Sequence, residues 1–106
     1  MKINFFDVGM FDGEETAMFL KEFDAQVYGF EAYPPFYEEI KERFSHLDNV
    51  SILNLAISDE HDYTNLYLEK SGQGNSIYKT KRNVNPLTFV EVRTIPLSSF
   101  IVNDFV

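Results

Sequence analysis

Short apolar runs alternate with stretches of helical period along the first half of the chain, and few folds accept that alternation. Ile3 to Val8 is an apolar run ending in Asp7-Val8-Gly9, the pattern of a buried strand that runs into a glycine turn. From Glu14 to Phe23 the residues Thr16, Phe19, Leu20 and Phe23 recur at three- and four-residue spacing, with acids in the first turn, which predicts a helix. Gln26 to Phe30 reads as a second buried strand, ending at Glu31. Pro34-Pro35 opens the next helix, because proline loses no hydrogen bond at the first helical position. Phe36, Ile40, Phe44 and Leu47 form the apolar stripe of that helix, and Glu38, Glu39, Lys41, Glu42 and Arg43 cover its other face. Asn49 breaks the pattern, and Val50 to Ile57 is expected as a third strand. The order β-α-β-α-β, with crossovers long enough for right-handed parallel connections, gives an α/β fold class and half of a doubly wound sheet.

The second half changes character. Tyr63 to Leu68 and Phe89 to Ile95 alternate as antiparallel strands do, with Val90 and Val92 on one face and Glu91 and Arg93 on the other. Ser71 to Ser76 is expected as a polar loop, and Pro96 to Val102 as a short final helix. There is no internal repeat. With 106 residues the chain has room for one core, so residues 1–106 are expected to form a single domain.

Charge and residue usage narrow the function. A net charge of −8 argues against duplex nucleic acid or an anionic membrane face as the main partner, since both attract concentrated cations. The absence of cysteine excludes a disulfide scaffold, a thiolate zinc site and a cysteine nucleophile. The two histidines, His46 and His61, lie far apart, and no metal site is expected. No apolar run reaches the roughly 20 residues that span a bilayer, and the start is too short and acidic for a signal peptide, so a cytoplasmic protein is expected.

The chemistry concentrates at two places. Asp7-Val8-Gly9-Met10-Phe11-Asp12-Gly13 lies between a strand and a helix. Gly9 lets the chain turn sharply and approach a ligand, Gly13 precedes the helix N-terminus, and free N–H groups there favour an electronegative ligand part. The same residues also suit a tight turn with no ligand, and Asp7 also suits a structural carboxylate holding the turn's amides. Glu31 ends the second strand 18 positions after Gly13, where an acid holds the ribose in dinucleotide-binding folds. A carboxylate offers two acceptor oxygens to the two hydroxyls of a vicinal diol; an ordinary surface acid is the plain alternative. Turn and acid together point to a nucleoside-containing cofactor. The spacing Gly9-x-x-x-Gly13 lacks the middle glycine that admits a pyrophosphate, and Met10 and Phe11 stand inside it. That favours a ligand without pyrophosphate at this point, such as S-adenosylmethionine.

Phe6-Asp7-Val8-Gly9-Met10-Phe11-Asp12-Gly13-Glu14-Glu15-Thr16 resembles the first motif of the FkbM-type S-adenosylmethionine-dependent methyltransferases. Val27 to Pro34 resembles the second motif, Asn49-Val50 with Asn54 to Asp59 the third, and Ser71 to Ile77 and Val92 to Phe100 the later loop and strand. The resemblance implies a Rossmann-like class I methyltransferase half-fold, with a β-α-β-α-β parallel core followed by antiparallel strands. It implies that Gly9, Met10, Phe11 and Gly13 wrap the methionine part of S-adenosylmethionine, with Asp7 orienting the loop. It assigns the ribose to Glu31, and the adenine to Ala32 and Tyr33 with backbone contacts from Ala56 and Ile57. The implied activity is methyl transfer to a hydroxyl oxygen of a sugar or natural product, on a small-molecule or glycan acceptor. Met10-Phe11 stands where the family usually has a small residue and Asn, and the family's later Lys-Ile-Asp-x-Glu-Gly strand is not reached. The expectation is therefore the amino-terminal part of the domain, or a short form completed by a homo-oligomer.

No catalytic residue is assigned. His46, His61, Ser76 and Tyr78 read as surface positions, Lys79-Thr80-Lys81-Arg82 as a solvated basic loop, and Phe5, Phe6, Phe19, Phe30, Phe36 and Phe44 as core. Two other readings stand beside the methyltransferase. One is a Rossmann enzyme that binds NAD or a nucleotide sugar; the other is a non-catalytic binding domain derived from a methyltransferase.

Overall fold

A computed structural model describes residues 2–68, 75, 77 and 88–98. The expected loop 71–76 apart from Asn75, the positions Ser76, Tyr78 and Phe100, the basic patch 79–82 and the last residues of the expected helix 96–102 lie outside them. The chain divides into two units, Met1–Asn54 and Leu55–Val106.

The first unit contains strand β1 (Ile3–Val8), helix α1 (Glu14–Glu22), β2 (Ala25–Phe30), α2 (Pro34–Arg43) and β3 (Val50–Leu53). The strands form a parallel sheet in the order β1-β2-β3. Phe5 pairs with Val27 and Val27 with Val50, so these three point to one face. Both helices cover that face: Phe19 of α1 stacks on Phe5 with ring centroids 4.2 Å apart, and Ile40 and Phe44 pack with Ala17, Leu20, Leu47, Val50 and Ile52. Helix α1 stops where Phe23 turns extended. Helix α2 starts at Pro34, after an extended Tyr33.

The expected strand from Val50 to Ile57 is two strands in two sheets. β3 ends at Leu53, and β4 (Ala56–Ile57) belongs to the second unit. Asn54 makes the break. Its Nδ2 donates to the carbonyls of Glu31 and Ala32, at 2.9 and 3.1 Å, so the side chain competes with the ladder for backbone partners.

In the second unit β5 (Asp62–Tyr67) and β6 (Phe89–Ile95) pair antiparallel, as expected, while β4 runs parallel to β6 in the order β4-β6-β5. Val92 and Thr94 are buried and Glu91 and Arg93 exposed, in step with the alternation. The Thr94 hydroxyl accepts from the Asp62 amide at 3.1 Å and lies 2.9 Å from the Glu60 carbonyl, to which it donates.

Candidate functional site

Parallel β1 and β2 both end at one edge of their sheet, so the residues that follow them come together there. Asp7, Gly9, Met10, Phe11, Gly13, Glu31, Ala32 and Tyr33 all lie at this carboxyl edge. The amides of Gly9 and Met10 both donate to the Phe30 carbonyl, at 2.7 and 3.3 Å, folding the chain back over β2. Gly9, Phe11 and Gly13 then adopt left-handed backbone, with φ of 76°, 54° and 82°. For a phenylalanine that conformation costs about 1 kcal/mol, so something must hold it.

Glu31 holds it. The Phe11 amide donates to Glu31 Oε1 at 2.8 Å, and the Tyr33 amide donates to Glu31 Oε2 at 3.0 Å. One carboxylate thus ties together the turns that follow both strands. It is only 7% exposed. Burial pushes its carboxyl above the usual glutamate range, the two amides pull it back down, and the neighbouring Asp7 charge adds to the rise. A carboxylate has about four lone-pair positions, and two are taken here, which leaves acceptor capacity for a diol.

The two glycines of the turn differ. A Cβ on Gly9 would meet nothing within 4 Å, so the backbone is open to approach there. A Cβ on Gly13 would come within 2.7 Å of Phe44 Cε2, so the neighbour that demands glycine at 13 is the α2 core. Met10 is 3% exposed, with its thioether seated on Gly29; its side chain faces the core and only its backbone belongs to the edge. The Asp7 carboxylate accepts from the Thr16 hydroxyl at 2.6 Å and so anchors α1, while the turn amide of Phe11 goes to Glu31.

Tyr33, Phe36 and Phe11 form an aromatic row beside the acid, with edge-to-face centroids 4.8 and 5.0 Å apart. Arg43, from the last turn of α2, reaches back to the turn. Its Nη1 donates to the Asp12 carbonyl at 2.7 Å and its Nη2 to Glu14 Oε2 at 3.1 Å. Sequence reasoning passed over Arg43, which has no distinguishing pattern, and treated Phe36 as core only. Asn54 carried a signal, a polar residue interrupting an apolar run. Ala56 and Ile57 are in the second unit, paired with Thr94 and Ile95 of β6. His46 and His61 are exposed. No helix among the described residues is long and apolar enough to cross a membrane.

No protein-family model, curated protein or solved structure matches the chain.

Proposed function

We propose that the chain is the cofactor-binding part of a Rossmann-like, FkbM-type methyltransferase. It would hold S-adenosylmethionine at the carboxyl edge of β1 and β2 and direct methyl transfer to a hydroxyl oxygen of a sugar or natural product. The observation that carries this reading is a buried carboxylate ending β2, bonded to a left-handed turn whose Gly9 is open to approach. Glu31 keeps acceptor capacity for the two hydroxyls of a ribose, Gly9 lets the ligand meet bare backbone, and Phe11, Tyr33 and Phe36 offer apolar surface beside the acid. When bound, the sulfonium supplies an electrophilic methyl and a neutral thioether leaving group, so the protein's task is mainly orientation. On this reading the acceptor is a small molecule or glycan, nucleic acid and membrane are not partners, and the protein works in the cytoplasm.

A second reading has its own support. Both Glu31 oxygens already accept backbone amides, which suits a staple in a binding domain without catalysis. Calorimetric titration of the folded chain with S-adenosylhomocysteine, and with NAD as control, tests the proposal. Binding is expected for the first and not the second, with Glu31→Ala weakening it by about 1.5–3 kcal/mol and Gly9→Ala weakening it without loss of the fold. Preference for NAD, or affinity indifferent to both substitutions, overturns it. Binding that never leads to methyl transfer with any hydroxylated acceptor favours the second reading.

A further inference from the structure

In dinucleotide-binding folds the glycine turn after the first strand takes a phosphate on free backbone amides, at the start of the helix that follows. Here five amides of that turn are already in use. Gly9 and Met10 donate to the Phe30 carbonyl, Phe11 to Glu31 Oε1, and Gly13 to the Met10 carbonyl at 2.9 Å. The Glu14 amide, which opens α1, donates to Asp12 Oδ1 at 3.0 Å. An anion that sought any of these amides would have to displace an acceptor belonging to the fold.

The charges that the first unit places around the turn oppose an anion as well. Asp12, Glu14 and Glu15 stand at the start of α1, and Asp7 and Glu31 are buried at the ends of β1 and β2. Arg43 is a basic side chain bonded to the turn, and its Nη1 and Nη2 are committed to the Asp12 carbonyl and to Glu14. A ribose held by Glu31 lies against this turn, because the same carboxylate holds the Phe11 amide. A charge on the 5′ carbon of that ribose is then only the length of a sugar ring from the Glu31 carboxylate, a distance at which physiological salt screens little.

We propose that the turn selects against anions, with Asp12 as a specificity-determining residue. The site takes a nucleoside whose 5′ carbon carries an uncharged or cationic group, such as a thioether or a sulfonium, and rejects the matching 5′ phosphate. Asp12 acts twice: its Oδ1 masks the amide that a phosphate would use, and its charge repels the phosphate. This inference rests on the nucleoside reading of the site given above and narrows it.

Calorimetric titration of the full chain at neutral pH with 5′-methylthioadenosine and with adenosine 5′-monophosphate tests it, because the two ligands differ only in the 5′ substituent. The monophosphate is expected to bind about tenfold or more weakly than the thioether. Asp12→Asn keeps an oxygen for the Glu14 amide but removes the charge, so it should narrow that ratio. Asp12→Ala also frees the amide and should narrow it further, with the gain appearing in the monophosphate. Asp12 is exposed, and circular dichroism checks that both variants stay folded. Equal affinity of the wild type for the two ligands, with binding still weakened by Glu31→Ala, overturns this inference and leaves the nucleoside reading standing. A ratio unmoved by both Asp12 substitutions also overturns it. Binding of neither ligand, or binding indifferent to Glu31→Ala, overturns the nucleoside reading and this inference with it.

Discussion

Between β1 and α1 the backbone passes through three left-handed residues, Gly9, Phe11 and Gly13, whereas between β2 and α2 it runs from Phe30 through an extended Tyr33 into Pro34. The second turn is shaped locally. Proline sets the first helical dihedral, and the Tyr33 amide bonds to a carboxylate only two positions back. The first turn is shaped from a distance, by Glu31 twenty positions away and Arg43 thirty-one positions from Asp12. Both turns nevertheless end on the same carboxylate. The difference teaches that this edge is built by folding the far turn onto the near one, with Glu31 as the shared fastener.

The sharpest way to break the comparison is Gly13→Ala. Left-handed backbone and the overlap with Phe44 act together there, and unfolding in urea should show a loss of about 3 kcal/mol. Gly9→Ala meets the same backbone penalty with open space around the new methyl, so about 1 kcal/mol is expected. Equal losses at the two positions would remove Phe44 from the account of Gly13.

Glu31→Gln comes next. A glutamine carbonyl accepts from one amide while its NH₂ group faces the other, and the lost bond is partly offset by removing a buried charge. A net loss of about 1 kcal/mol at neutral pH is expected. The pH dependence sharpens this. The folded chain holds the Glu31 carboxyl above its ordinary 4.5, so between the two values the folded state binds more protons than the unfolded state. Its contribution is fully present below 4.5 and is lost as pH rises through the raised value. Urea midpoints across that window should fall with rising pH in the wild type more than in Glu31→Gln. Parallel curves would show that Glu31 titrates as it does in the unfolded chain.

The smallest effect belongs to Arg43→Ala, where a partly exposed ion pair and one carbonyl bond are lost. About 0.5 kcal/mol is expected globally, with hydrogen exchange quickened at the amides of residues 11–13 and unchanged at Tyr33. Quickening at both turns alike would mean that they open as one unit.

The elements of the first unit were legible because apolar spacing encodes them directly. Ile3–Val8, the Thr16-Phe19-Leu20 stripe and the Pro34 helix start all reappear as elements of the structure, but the first strand, expected buried, leaves Ile3 and Val8 exposed. The juxtaposition of Gly9 and Glu31 was legible too, since parallel strands deliver their carboxyl ends to one edge. The strand break at Asn54 was signalled only by that one polar side chain in an apolar run, and the spacing does not say that two sheets receive the two halves. The reason for Gly13 was not legible, because it lies in a phenylalanine thirty-one positions away. The inward turn of Met10 depends on the absent side chain of Gly29, and spacing within the turn carries no trace of that.

The seating of Met10 on Gly29 has a chemical consequence. A thioether this deeply buried leaves little room for an added oxygen, so peroxide is expected to reach it mainly when the turn lifts off β2. Met18, 59% exposed against 3% for Met10, is open to oxidation at all times and serves as an internal reference. The ratio of sulfoxide formed at the two positions, read by peptide mass mapping, is thus a clock for opening of the carboxyl edge. Any molecule that settles onto that edge should slow the Met10 reading and leave the Met18 reading where it was.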